Sequence, residues 1–547
     1  MPKVKQTNGT STTSKATKAP KSGYLSRKRR HMKKLVLDNE QRQNLLQDSL
    51  KTVKILAEGL SENLTKTVTG KSSLMAEPQA PLLTTEMMDA MSADYMSDKQ
   101  NIMRMNTVSS VGIDNAISDR MVTQKINYAY SHEMDRVPRA TTQEHSGRCW
   151  LFAALNSMRA HMIQAYNLPE HFEISEAYLF FWDKIERAYC LLTTLARLRG
   201  MDMTDQLYQH VLLNNSPSQD GGNWGQVVNL IQKYGLVPKT VYGESFNSSY
   251  SDEMNELVHS RLLVFNQWLR DNAQTSDQEI TDTIVTQMMP DIFQLVANCL
   301  GKPPMPSETF TWEYNESSEN FESVRQKGQY HCISGVTPAT FYETLVAPHY
   351  NIEKKVFISD DPRMPRNKTY AVEYGNCMVG GLPDVTFNVG MTEMRKAVAT
   401  SVMSQQPVWF ACDVGKDFDP YSSVLSTNAF KAEKYFNQKL KLTKSQALNT
   451  LSSYPTHAMS FVGLNTVNED PEKVNKWKVE NSWGAWTESN DPGYLQMDDD
   501  WFRRYVFTAV VDIDCLDTDL QASYTEQKYS PVVLPYNDPF GSVACRL

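Results

Sequence analysis

Apolar positions recur at helical spacing in the first half of the chain and crowd into short runs in the second. Leu46, Leu50, Val53, Leu56 and Leu60 follow at steps of four, three, three and four, which predicts one amphipathic helix within residues 38–64. Residues 65–91, rich in Ser, Thr, Lys and Pro, read as a linker, and a folded body is expected to begin between residues 80 and 100. Inside it, Leu151, Phe152, Leu155, Met158 and Met162 form an apolar stripe on a helix predicted over residues 146–166, ending ahead of Pro169. Residues 254–272 and 277–300 read as further helices, the second kinked or broken at Pro290. From about residue 355, runs of Val, Phe, Tyr and Trp alternate with Gly, Asp and Asn. Val408–Cys412, entered from Pro407, is a buried-strand candidate. With no visible repeat, this pattern predicts an α+β fold whose helical and sheet layers are segregated along the chain.

Composition narrows the class. The 547 residues are 41% hydrophobic and 22% charged, enough apolar mass for a large core, which excludes collagenous, coiled-coil or wholly disordered chains. No apolar run is long enough to cross a membrane, and the start, MPKVKQTNGTSTTSK, lacks the apolar segment of a secretory leader. Eight Cys, scattered singly from Cys149 to Cys545, show neither disulfide density nor CxxC pairs. A reducing compartment is expected: cytoplasmic, with a nuclear pool as a second address.

Charge is uneven. Residues 1–34 carry eleven Lys/Arg and no Asp or Glu, leaving 44 basic against 63 acidic residues, a formal −19, for the rest. Such a polar arm buries too little apolar surface to offset its ordering entropy, so disorder is expected. Its densest part, Arg27 to Lys34, reads as a nuclear address or a weak nucleic-acid contact, or else as a solubilising tail. These readings stay open.

Candidate chemistry lies in three separated segments. In Gln143-Glu144-His145-Ser146-Gly147-Arg148-Cys149-Trp150, the Cys follows a Ser-Gly turn and opens a predicted helix. A lone Cys is usually an inert small hydrophobe, but unpaired amides and the positive dipole end at a helix start favour a thiolate, and a thiolate attacks carbonyl carbon. Gln143 is placed to aim its amide N–H at the same carbonyl oxygen, completing an oxyanion hole with the Cys149 backbone N–H. His457 heads an alternating apolar strand, where a structural histidine is the commoner outcome. Asn481, between a short strand and a Gly turn, is ordinarily turn chemistry. As a set, Asn481 accepts the His457 Nδ1 proton, Trp483 covers that bond, and His457 serves the thiol. The ordered series Gln, Cys, His, Asn is far more specific than any member.

At this point the chain resembles the papain-like cysteine peptidases, and within them the bleomycin hydrolase group, which includes enzymes of the aminopeptidase C type. Gly221-Gly222-Asn223-Trp224-Gly225-Gln226, Val372-Glu373-Tyr374, Met378-Val379-Gly380-Gly381, Trp409 to Lys416 and the ending Asp538-Pro539-Phe540-Gly541-Ser542-Val543-Ala544 extend the likeness from about residue 95 to the C-terminus. The resemblance implies Cys149 as nucleophile, His457 as base then acid, Asn481 as orienter and Gln143 as oxyanion donor. It also implies substrate contacts at Trp150, Gly221, Gly222, Trp483 and Ala544. Glu144-His145 and the basic arm depart from the group's usual pattern.

Spacing provides a check. Cys149 and His457 lie 308 residues apart, whereas compact papain-like enzymes need ~130–150, so roughly 160 residues of extra structure intervene. The expected organisation is an N-terminal extension (1–80) followed by a two-lobed catalytic region (81–547). Within that region come a helical nucleophile lobe (about 95–245), a helical insertion (about 246–345) and a β-barrel-like His/Asn lobe (about 346–525). An extended tail (526–547) completes it. By resemblance, the tail lies in the cleft with its carboxylate on a substrate α-amino group, Leu547 is trimmed, and the assembly is a homohexamer. The implied activity is a cysteine aminopeptidase acting on peptides, with bleomycin as a side substrate and no metal or other cofactor. The competing readings are a nucleic-acid-binding protein working through residues 1–34 and an inactive peptidase-fold scaffold.

Overall fold

The computed structural model describes residues 82–136, 138–214, 219–274, 283–317, 328–485 and 492–541. The predicted 38–64 helix, the basic arm, Ala544 and Leu547 lie outside the described residues. The chain divides into two units, residues 1–97 and 98–547. Of the first, the described part is mainly one helix, α1 (Thr85–Ser97), none of whose residues is buried. It starts inside the stretch read as a linker, because a Met-rich run has good helix propensity that composition alone conceals.

In the second unit, α2 (Lys99–Val111) precedes α3 (Cys149–Ala165), which begins at the candidate nucleophile, then α4 (Glu176–Leu198), α5 (Trp224–Tyr234), α6 (Asp252–Asp271) and α7 (Val285–Leu300). Helix α7 continues through Pro290 rather than breaking there. A proline removes one backbone bond, and the buried Met288, Ile292 and Val296 hold the segment on either side. The span expected to be helical up to about residue 345 contains an antiparallel hairpin, Phe310–Asn315 with Tyr330–Val336. Its strands alternate in burial, the period of two that marks a half-buried strand.

The C-terminal half builds one mixed sheet. In spatial order its strands are Val532–Leu534, Lys368–Val372, Val385–Asn388, Lys355–Ser359, Val506–Asp512, Val408–Cys412, His457–Thr466, Val474–Glu480, Tyr494–Asp498, Val424–Leu425 and Phe418–Asp419, with His132–Glu133 also on His457–Thr466. We call the central three β1 (Val408–Cys412), β2 (His457–Thr466) and β3 (Val474–Glu480). Both faces of β1 are buried. Trp409 and Ala411 join the core shared with α3 and α4, while Val408, Phe410 and Cys412 join a second core with Phe461 and Trp477, under α8 (Met391–Met403). A sheet covered on both sides needs apolar residues at every position, so β1 reads as an unbroken apolar run.

Candidate active site

Helix α3 begins at Cys149, with Arg148 at the N-cap position, rather than at residue 146. Residues 143–148 form a turn instead, with Ser146 N donating to Gln143 O at 3.2 Å and Ser146 Oγ to the same oxygen at 2.7 Å. Cys149 therefore sits at the first helical position, where the backbone amides have no acceptor within the helix and the dipole is positive. Within this turn Glu144 adopts φ +50°, a left-handed conformation that non-glycine residues rarely hold outside constrained sites.

Three buried polar links dock α3 on the sheet. Ser157 Oγ and Ser460 Oγ lie 3.1 Å apart, Ser460 Oγ donates to Ala153 O at 2.8 Å, and Arg159 pairs with Glu480 at 2.6 Å. Ser460 is three residues beyond His457, and Glu480 immediately precedes Asn481. The helix carrying the thiol is thus tied to both strands that carry the other two groups.

His457 is buried at the start of β2, and its neighbour Ala458 donates its N–H to Cys149 Sγ at 3.4 Å. The His457 ring contacts Asn481 Oδ1 through Nε2, at 2.9 Å, not through the expected Nδ1. Ring orientation is a side-chain torsion that sequence does not encode, and here it leaves Nδ1 as the ring nitrogen for the thiol. Asn481 Oδ1 also accepts the Ser482 N–H at 2.8 Å, which sets the amide with its oxygen toward the imidazole. Trp483 packs on the His457 ring, centroids 4.9 Å apart, and so covers the His–Asn bond as expected.

Gln143 is fully buried. Its Oε1 accepts from Ser482 Oγ at 2.7 Å and its Nε2 donates to Ser146 O at 2.5 Å, so both ends of the amide are held. The backbone reinforces this: Gln143 N donates to Ser482 O at 2.8 Å and Gly484 N to Thr141 O at 2.8 Å. The oxyanion candidate and the Asn481 turn are thereby stitched together. Cys412, opposite His457 in the sheet, is no rival nucleophile; burial, with Asp413 and Cys149 nearby, pushes its thiol well above the usual range.

The expected substrate residues separate into two kinds. Trp150 is fully buried, its indole N–H donating to Asp220 O at 2.7 Å, so it leaves no exposed surface to present to substrate. A Cβ on Gly222 would lie 2.7 Å from that indole, which explains the glycine by close approach. Gly221 lines a cavity of about 290 Å³ together with Cys377, Tyr374, Tyr536, Asp538 and Gly541. The final described residues thus reach this region, and Asn223 Nδ2 donates to Phe540 O at 3.4 Å. Asp538 is held by Arg363 at 3.0 Å. Ser482, Glu480 and Asp220 were not singled out from sequence. A charged residue inside each of two apolar patterns, Arg159 and Glu480, was the available signal for their pairing.

Among the described residues, no group of three or more His, Cys, Asp or Glu is arranged to hold a metal, and no helix is long and apolar enough to cross a membrane.

Comparison with known proteins agrees with this geometry. Residues 82–541 match the Peptidase C1-like family. Bleomycin hydrolase of Homo sapiens is 34% identical over 470 residues, covering 84% of this chain and 99% of its own. Aminopeptidase C of Listeria innocua is 30% identical over 462 residues with the same coverage. The crystal structure of PepW from Lactobacillus rhamnosis HN001 superposes with a TM-score of 0.77 at 29% identity, covering 84% of this chain and 99% of that one. An embedded thiol at a helix start, a His–Asn pair at the ends of neighbouring strands and likeness along nearly the full length of these relatives place the chain in the Peptidase C1-like family, in its bleomycin hydrolase and aminopeptidase C group.

Proposed function

We propose that this chain is a cysteine aminopeptidase that removes N-terminal residues from peptides and has bleomycin hydrolase-like activity. The observation that carries the reading is the convergence of Cys149, His457 and Asn481 on α3, β2 and the end of β3. His457 Nδ1 takes the thiol proton, Cys149 Sγ attacks the scissile carbonyl, and the oxyanion is met by the Gln143 side-chain amide and the Cys149 N–H. His457, now protonated and oriented by Asn481, gives its proton to the leaving amine. Water then adds to the thioester, and the released acid frees Cys149.

Restriction to the amino end is assigned to the C-terminal tail. Gly541 lies beside Val372 and Gly375 and lines the same cavity as Gly221. That placement supports a tail carboxylate in the cleft paired with a substrate ammonium, with Gly221 and Ala544 beside it. Loss of Leu547 on maturation, a homohexameric assembly and a cytoplasmic location with a nuclear pool belong to the same reading. The test is fluorophore release from a free-amino aminoacyl substrate, beside its N-acetylated twin and the Cys149→Ala variant. Cleavage of the free form alone, abolished by Cys149→Ala, is expected; equal cleavage of the twin would remove the tail's role.

A further inference from the structure

The buried carboxylate of Asp220 sits on neither catalytic strand, yet it grips the nucleophile from both sides. Its Oδ2 accepts the Gly147 N–H at 3.0 Å, two residues before Cys149, and its main-chain oxygen accepts the Trp150 indole N–H at 2.7 Å, one residue after. Three further donors hold the carboxylate itself: Lys184 Nζ from α4 at 2.6 Å, Asn255 Nδ2 from α6 at 2.8 Å, and Ser251 Oγ. Lys184, Ser251 and Asn255 are all buried. Burial alone raises this carboxyl, but the Lys184 charge and the hydrogen bonds from Lys184, Ser251 and Gly147 outweigh it, holding the group down at about 2.

A single ionised side chain therefore joins the catalytic turn, the Gly221–Gly222 loop that follows it in sequence, helix α4 and the start of α6. Ser251 and Asn255 belong to the segment inserted between nucleophile and base. We infer that Asp220 is a positioning residue for Cys149, and that the insertion, through Ser251 and Asn255, fixes the catalytic turn rather than only adding bulk. The inference rests on the reading of Cys149 as nucleophile, and acts through geometry: the Gly147 amide cannot drift without breaking a charge-assisted bond, so the thiol keeps its place against Gln143 and His457.

The experiment compares wild type with Ser251→Ala, Asp220→Asn and Asp220→Ala in the full chain. It reads kcat and KM on the free-amino substrate, the iodoacetamide alkylation rate of Cys149 by peptide mapping, and the thermal midpoint. Ser251→Ala, which keeps the Lys184 pair, is expected to lower kcat about tenfold with KM nearly unchanged. Asp220→Ala is expected to lower kcat by about 10²-fold and slow Cys149 alkylation in parallel, with Asp220→Asn partly rescuing both because its oxygen still accepts the Gly147 N–H. If Asp220 variants fail to fold, Ser251→Ala decides. Folded variants with unchanged kcat and unchanged Cys149 alkylation would overturn the inference and leave Asp220 a structural group. Because alkylation needs no substrate, an inactive wild type whose Cys149 alkylation still slows in the variants would sink the aminopeptidase reading and leave the positioning role standing.

Discussion

At Asn481 two donors meet one oxygen, the His457 ring N–H and the Ser482 amide, and Trp483 shields the first from water. Removing that oxygen frees the imidazole to rotate while leaving the fold's main bonds intact. Asn481→Ala is therefore expected to reduce kcat by about 10–100-fold with little change in KM, as steady-state kinetics on the free-amino substrate would reveal. Undiminished kcat would mean that Asn481 does not orient the base. The four proposed catalytic positions were legible in the sequence because each sits in a local setting that such chemistry requires: a helix start, a strand head, a turn. The use of Nε2 rather than Nδ1 was not, since a ring flip changes no residue. Nor was the full burial of Trp150, which depends on how closely the Gly221–Gly222 loop, two helices away in sequence, approaches the indole.

Among the elements, α3 and β3 are coupled through Arg159 and Glu480, each almost wholly inaccessible. Burial raises the Glu480 carboxyl and the Arg159 charge opposes that rise, so the pair persists because each compensates the other. Truncating one partner strands the other: Glu480→Ala is expected to cost roughly 3–5 kcal/mol, seen as a lower midpoint in urea. An Arg159→Met/Glu480→Met double variant should recover most of the loss; a single variant as stable as wild type would show the pair to be dispensable. Element type was readable where periodicity is strong, as for α3, α6 and β1. Boundaries and exceptions were set by tertiary bonds. The 143–148 turn is held out of the helix by Gln143 O and Asp220, and α7 passes Pro290 because its apolar face is already committed. The hairpin strand Phe310–Asn315 hid within a helical expectation, although its alternating Phe-Thr-Trp-Glu-Tyr-Asn pattern was there to read.

For the whole molecule, stability and architecture make separate predictions. Burial lifts the Glu176 carboxyl at the start of α4 to about 7; Lys239 pulls it down, and Glu173 and Glu244 add to the rise. Such a group binds its proton more tightly folded than unfolded, so its contribution to stability is fully present below about pH 4.5 and is lost as pH rises through about 7. Glu176→Gln should therefore gain on wild type by on the order of 2 kcal/mol at pH 8 and lose that advantage near pH 4.5, by denaturant unfolding at both. Identical pH dependence would show that Glu176 does not titrate in this way. At the N-terminus, the family match begins at residue 82, and 84% of this chain covers 99% of the human relative. Deleting residues 1–81 is accordingly expected to keep kcat/KM within about twofold, whereas a large loss would tie the extension to catalysis.

The most direct test is mass spectrometry of a short defined peptide, with free and with acetylated amino end, incubated with wild type and with Cys149→Ala. The account predicts a ladder of single-residue losses from the free amino end, an intact acetylated peptide, and no change to either with Cys149→Ala. Internal cuts, equal degradation of the acetylated peptide, or a ladder produced by Cys149→Ala would contradict it.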